Sequence, residues 1–410
     1  MTTMPMPSAG TSTRHGTPWL EARDRARGLG AGRPTTTTRI SIAEAAGLTL
    51  REPVRALLAL PPHAASAMDG WVVAGEPPWS VGDPIDAGHE PDRTALPSGT
   101  ARPICTGAPV PPGARGILRL ENGEVVARGG RPELHRAPNA RPDEPRPGEH
   151  IRPAGEEAAA GELLIARGSV LTPPRIALCA ASGHDQLRVA MPPSVDLLVL
   201  GDELSSSGVP RPGAIRDIVS PSFPAMLAAL GAAVQRIERC GDDAGATRRA
   251  MASSGADLLI VTGGSSRGRT DHARSAARAL GIHLDVDGVA VRPGHPIGFG
   301  ARPDGRIVLL LPGNPLAAVV GLLSFGAPIL AAMLGRVPPR ALSTRLAEHV
   351  RGHHGDTRIV AVALHEDGAR PLALQGSGML RGLAAADGFA VVQPGSGETG
   401  ETVPLLPLPW

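Results

Sequence analysis

Apolar runs at 195–200, 257–261 and 307–311 each end in a turn rich in glycine, acid or proline, and a stretch with helical spacing comes next. The first run meets Gly201-Asp-Glu-Leu204, the second Thr262-Gly-Gly-Ser-Ser-Arg-Gly-Arg-Thr-Asp271, the third Pro312-Gly-Asn-Pro315. A weaker run at 234–238 meets Gly241-Asp-Asp243. Helical stretches at 222–230, 244–252, 271–280 and 315–334 complete the alternation. Strand, turn, helix, repeated, predicts a parallel sheet with helices on its faces. In such sheets the turns at the carboxyl ends of the strands line one crevice, and ligands bind there. The chain is therefore expected to be α/β over 191–337.

Elsewhere the pattern changes. Residues 61–148 lack helical periodicity, are dense in Pro and Gly, and predict a small β-rich domain. The flanking segments 17–60 and 149–190 are expected to form one linking and dimerisation domain, with a short helix at 19–26 and another begun by Pro173-Pro174. From 338 to 410 short strands return, predicting a β-barrel-like C-terminal domain. Residues 1–16, rich in Thr, Ser, Pro and Gly, read as a disordered tail. A chain of 410 residues exceeds what one core serves, which agrees with several domains.

Composition adds little until one asks what is missing. There is no Lys and no Tyr, so all 41 basic residues are Arg, a mark of compositional pressure rather than of function. A formal charge of +2 gives no argument for nucleic acid. Cys105, Cys179 and Cys240 are widely spaced, forming neither a disulfide framework nor a zinc site, which points to the cytoplasm. No uninterrupted apolar run of membrane-spanning length stands out, so no membrane is expected.

Candidate chemistry gathers at the turns. Gly263, Gly264, Ser265, Ser266 and Gly268 form a loop that presents backbone N–H groups and hydroxyls to an anion ahead of a helix N-terminus. A merely tight turn would look the same. Pro312, Gly313, Asn314 and Pro315 open a second helix, where Asn314 either caps it or donates to a ligand. Glu203, Asp217, Asp242, Asp243 and Asp271 lie at or near strand ends; each either caps a helix or, beside a phosphate, implies Mg²⁺. His295 sits in Arg292-Pro-Gly-His-Pro296. His353-His354 beside Asp356 reads as an exposed loop pair before a metal site. Ser66-Ala-Met-Asp-Gly70 and Thr106-Gly-Ala-Pro109 are turns with no chemistry of their own.

Together these segments resemble the MoeA family of molybdopterin molybdenumtransferases, related to the E domain of gephyrin. Ser66-Ala-Met-Asp-Gly-Trp-Val-Val73 resembles its S-A-M-D-G-Y-A-V segment, Ile104-Cys-Thr-Gly-Ala-Pro-Val-Pro111 its T-G-A-P-x-P turn, and Gly148–Glu157 its G-x-N-I-R-x-x-G-E-D stretch. The three α/β turns, the Arg292–Pro296 segment, Gly376-Ser-Gly-Met-Leu380 and Ala386-Asp-Gly388 follow in order. The resemblance implies a homodimer that inserts molybdenum from molybdate into adenylylated molybdopterin, with Mg²⁺ and release of AMP. It implies Asp69, Glu203 and Asp271 as catalytic, Glu203 and Asp271 as holding the metal, and Thr106 with Arg292, His295 and the two loops as substrate-binding. Departures stand at Leu200, where the family has a hydroxyl, at Ile218-Val219, where it has Ser-Asn, at Arg267, and at His295, where it has lysine. Two polar groups lost from a cleft would weaken binding by about 1–3 kcal/mol for each hydrogen bond left unmade. That loss keeps open a non-catalytic or altered-specificity molybdopterin-binding paralogue as the alternative. An adenylyltransferase of the related single-domain type would have no need of residues 38–190.

Overall fold

A computed structural model describes residues 16–264, 272–337 and 342–410. Ser265, Ser266, Gly268 and Asp271 lie outside the described residues, as does the expected tail up to residue 15. At the centre is a six-stranded sheet in the order Ala233–Cys240, Ser194–Leu200, Leu258–Thr262, Ile307–Leu311, Gly298–Ala301, His283–Asp287. The first four strands are parallel; Gly298–Ala301 runs antiparallel to them, and His283–Asp287, antiparallel to it, runs in their direction again. Leu258–Thr262 and Ile307–Leu311 are buried throughout, because helices cover both faces, so their sequence is continuously apolar. The edge strand Ala233–Cys240 alternates, as a half-covered strand must.

One face packs helix Val219–Ala229 and the long apolar segment from Pro315 to Met333; the other packs Ala244–Ser253 and His272–Ala279. The segment Pro315–Met333 is long and apolar enough to cross a membrane by composition, yet 83% of its apolar window is buried inside the protein. A helix hydrophobic all round belongs in a core, and this one does. Its middle turn, Leu322–Gly326, is a π-helix. The Arg23 guanidinium donates to the Leu323 and Ser324 carbonyls there, at 3.3 and 3.0 Å, and Trp19 Nε1 donates to Ser324 Oγ at 3.2 Å. Burial lowers the Arg23 pKa to about 10, which still leaves it charged at neutral pH.

Those contacts correct one expectation. Helix Trp19–Ala31 is longer than 19–26, and its apolar side joins the α/β core through Trp19, Ala22 and Ala26. Helix Trp19–Ala31, which falls in the expected linking segment 17–60, thus packs against the α/β unit, because that is where its buried face finds partners. The linking unit itself gathers Thr37–Ser41, Thr49–Leu50 and Gln186–Ala190 into a three-stranded sheet around Leu50, Val54, Leu171 and Cys179. Arg51 and Arg336 bolt it to the α/β unit. Arg51 donates to Met333 O (2.9 Å); Arg336 donates to Leu230 O (2.9 Å) and Thr49 Oγ1 (3.1 Å). Both cap carbonyls at helix C-termini, where positive charge is favoured.

Residues 70–136 contribute a six-stranded sheet. The C-terminal unit is a seven-stranded sheet, but its first members come from elsewhere: Thr17–Pro18 pairs with Val289–Arg292, which pairs with Thr357–His365. The sheet of the C-terminal unit thus crosses the expected boundary at 337/338. A strand inside 191–337 extends the C-terminal sheet and sets where the two units meet.

Candidate functional site

Sheet register aligns Val199, Thr262 and Leu311 at one level, so the turns that follow emerge side by side. Gly263 N–H donates to Leu311 O at 3.3 Å, and a Cβ built on Gly313 would lie 3.4 Å from Gly263 Cα. Gly263 has φ +84°, and a Cβ there would come within 2.3 Å of the Leu200 carbonyl oxygen. Only glycine fits where these two strand ends meet. The exposed Glu203 carboxylate folds over Gly201, within 2.5 Å of where a Cβ would stand.

The other acids separate into roles. Asp243 caps helix Ala244–Ser253 by accepting from Ala246 N–H, so there the capping reading holds. Asp217 is 4% exposed. It accepts from the backbone N–H groups of Val219 and Ser220, from Ser220 Oγ, and from Arg239 Nε at 2.8 Å. Burial opposes its charge, but the Ser220 donors and Arg239 outweigh that and hold its carboxyl below the usual range. Asp217 is structural, the cap of the helix below the crevice. The two departures beside it are also structural. Leu200 is 3% exposed within the apolar cluster under helices 244–253 and 272–279, and Val219 is 6% exposed within the opposite cluster. Neither side chain faces the crevice.

Between the α/β and C-terminal units lies a cavity of about 600 Å³ lined by Arg292, His295, Pro312, Asn314, Arg358 and Ser377, among others. Arg292 and Arg358 are register partners on adjacent parallel strands, so their side chains leave the sheet on the same face. Arg292 Nε donates to Asp356 Oδ2 at 2.9 Å, and Arg358 donates to Arg351 O. Asn314 makes no cap with its side chain, which lines the cavity instead. The helix it precedes offers no free N–H at its start: Leu316 and Ala317 both donate to Ser377 O, at 2.9 and 3.3 Å. The Gly376–Leu380 loop of the C-terminal unit thus plugs the helix N-terminus and brings Ser377 to the cavity wall. Gly313 packs against Gly263, and Pro315 begins the helix.

Asp69 and Thr106 do not line that cavity. Pairing of Gly70 with Ile104 sets them across from each other, and Asp69 Oδ1 accepts from Thr106 N–H (2.6 Å) and Oγ1 (2.8 Å). These two bonds, the backbone one foremost, hold the exposed carboxyl below its ordinary range. Ser66 is spent locally, its hydroxyl donating to Met68 O at 2.6 Å.

Sequence reasoning missed Arg358, Ser377 and Asp356 as parts of one site. Arg358 and Asp356 come in through strand register across two domains, which no local motif carries, and Ser377 through its carbonyl's contact with the helix at Pro315. His353 Nδ1 lies 3.1 Å from Asp356 Oδ2, and among the described residues no three His, Cys, Asp or Glu side chains form a metal cluster.

Residues 18–183 match the MoeA N-terminal region (domain I and II), 196–332 a probable molybdopterin binding domain, and 343–408 the MoeA C-terminal region (domain IV). The chain is 35% identical over 328 residues to molybdopterin molybdenumtransferase 2 of Mycobacterium tuberculosis, covering 75% of this chain and 77% of the relative. It is 32% identical over 338 residues to the molybdopterin molybdenumtransferase of Synechococcus elongatus, covering 78% and 81%. The crystal structure of a molybdopterin biosynthesis MoeA protein from Pyrococcus horikoshii superposes with a TM-score of 0.75 at 25% identity, covering 94% of this chain and 98% of that one.

Proposed function

The chain belongs to the MoeA family, and on that premise we propose that it inserts molybdenum from molybdate into adenylylated molybdopterin with release of AMP. The observation that carries this reading is the cavity at the carboxyl edge of the sheet, walled by two arginines, a histidine, an asparagine and a serine. Molybdate is a small tetrahedral dianion, and paired guanidiniums bind such oxyanions by charge and by parallel N–H donors. The turn at Gly263–Gly264 lies against the Pro312–Pro315 turn, so a pterin phosphate held by the first would have its dithiolene within reach of an oxyanion beside the second. Holding both reactants in one geometry supplies most of the acceleration such a reaction needs.

A homodimer belongs to the same proposal. Asp69 and Thr106 sit on a different unit from the cavity, and a second copy meeting the first across the crevice would bring its own pair to it. Mg²⁺ fits the donor chemistry: it takes one or two carboxylates and completes its shell with water and phosphate. Glu203, an exposed acid at the crevice turn, would hold it together with Asp271. When bound, the ion would neutralise pyrophosphate charge and assist departure of AMP.

The alternative, a non-catalytic or altered-specificity paralogue, drew on the apolar residues at 200 and 219. Both side chains pack into core clusters, so that reading loses its main support. Complementation of a bacterial strain lacking this transferase is the test, scored by molybdoenzyme activity. The wild-type chain should restore activity at low molybdate, and Arg358→Ala only at high molybdate. Failure of the wild type at both concentrations would refute the proposed activity.

A further inference from the structure

Asp356, noted in the sequence only as the acid beside His353-His354, is 6% exposed. It precedes strand Thr357–His365 by one residue and Arg358 by two, so Asp356 and Arg358 project to the same face. Arg292 joins that row from the neighbouring strand as the register partner of Arg358. Two guanidiniums on strands about 5 Å apart repel. Asp356 is bonded to one of them: Arg292 Nε donates to Asp356 Oδ2 at 2.9 Å, while His353 Nδ1 lies 3.1 Å from the same oxygen. None of the described residues takes the Nη groups of Arg292, whose side chain is 53% exposed at the cavity.

We propose that Asp356 is a positioning residue for the oxyanion cavity: held through Nε, Arg292 is fixed in one rotamer with both Nη groups left for the bound anion. The proposal rests on the cavity being the molybdate site. It has a particular signature, because Asp356 exerts two opposed effects on an anion nearby. Its charge repels the ligand, whereas its grip on Nε keeps the guanidinium oriented. Removing charge alone and removing grip as well must therefore move affinity in different ways.

Titration calorimetry of the purified full chain with molybdate separates them. Asp356→Ala should weaken binding about tenfold, whereas Asp356→Asn, which keeps an acceptor for Nε, should stay within about twofold of wild type or tighten. In an Arg292→Ala background, Asp356→Ala should change affinity by less than about twofold, since the residue it acts through is gone. Should Asp356→Ala fail to fold, Asp356→Leu fills the same volume without an acceptor and is expected to show the same tenfold loss. Equal losses with and without Arg292 would mark Asp356 as merely structural and overturn the proposal, as would wild-type affinity in the Ala variant. A wild-type chain that takes up no molybdate would instead overturn the reading of the cavity itself.

Discussion

Gly263→Ala isolates the close approach on which the crevice depends. The added methyl would meet the Leu200 carbonyl oxygen at 2.3 Å and its carbon at 3.2 Å, with φ at +84°. The conformation alone costs an L-residue roughly 1–2 kcal/mol. Relieving the contact requires about 1 Å of backbone movement, and overpacking of that kind costs roughly 1–3 kcal/mol more. The total, about 2–5 kcal/mol, falls on the junction of strands Ser194–Leu200 and Leu258–Thr262. Gly213→Ala is the control, because it shares a positive φ, +83°, but a Cβ there meets nothing within 4 Å. Hydrogen exchange of amides in the two strands reads local opening, which a whole-molecule melt of a multidomain chain would blur. Protection should fall sharply in Gly263→Ala and barely in Gly213→Ala. A shift of about 1 Å in the turn should also lower kcat/KM about a hundredfold. Equal and small effects of the two substitutions would refute the packing argument.

Three further outcomes test the remaining assignments. Asp217→Asn should destabilise the chain above about pH 4 and converge with wild type in acid. Its folded carboxyl is held below the ordinary range, so the stabilisation is present above the unfolded pKa and is lost as pH falls through the folded one; parallel pH–stability curves would refute the assignment. Asp271→Asn should cut molybdenum insertion by orders of magnitude with the melting temperature nearly unchanged, whereas matched losses of activity and stability would mark a helix cap. Sedimentation at micromolar protein should find a dimer; a monomer at every concentration would sink the shared cleft.

What was legible in the sequence was the part written in local periodicity. Continuous apolar strands, helical spacing and glycine turns identify the α/β unit because both faces of its sheet are covered, and that condition imprints on neighbouring residues. The site was legible only in halves. Pro312–Pro315 and Arg292–His295 could be named from motifs, but Arg358 and Asp356 enter through the pairing of Val289–Arg292 with Thr357–His365, a contact between segments more than sixty residues apart. The packing of helix Trp19–Ala31 on the α/β core was illegible for the same reason: Ala22 and Ala26 are fully buried, yet a helix of Arg, Ala and Gly carries little hydrophobic signal, so its partner could not be guessed. Leu200 and Val219 show the converse difficulty: a polar-to-apolar departure beside a motif reads in sequence as a lost ligand contact, whereas both side chains are buried in core clusters. Successive side chains point to opposite faces in a strand and about 100° apart at a helix start, so neighbours in a motif divide between core and crevice. A family motif does not say which of its letters faces the ligand. Here the backbone supplies the crevice geometry, with Gly263 pressed against the Leu200 carbonyl, while the side chains at 200 and 219 are free to follow the core.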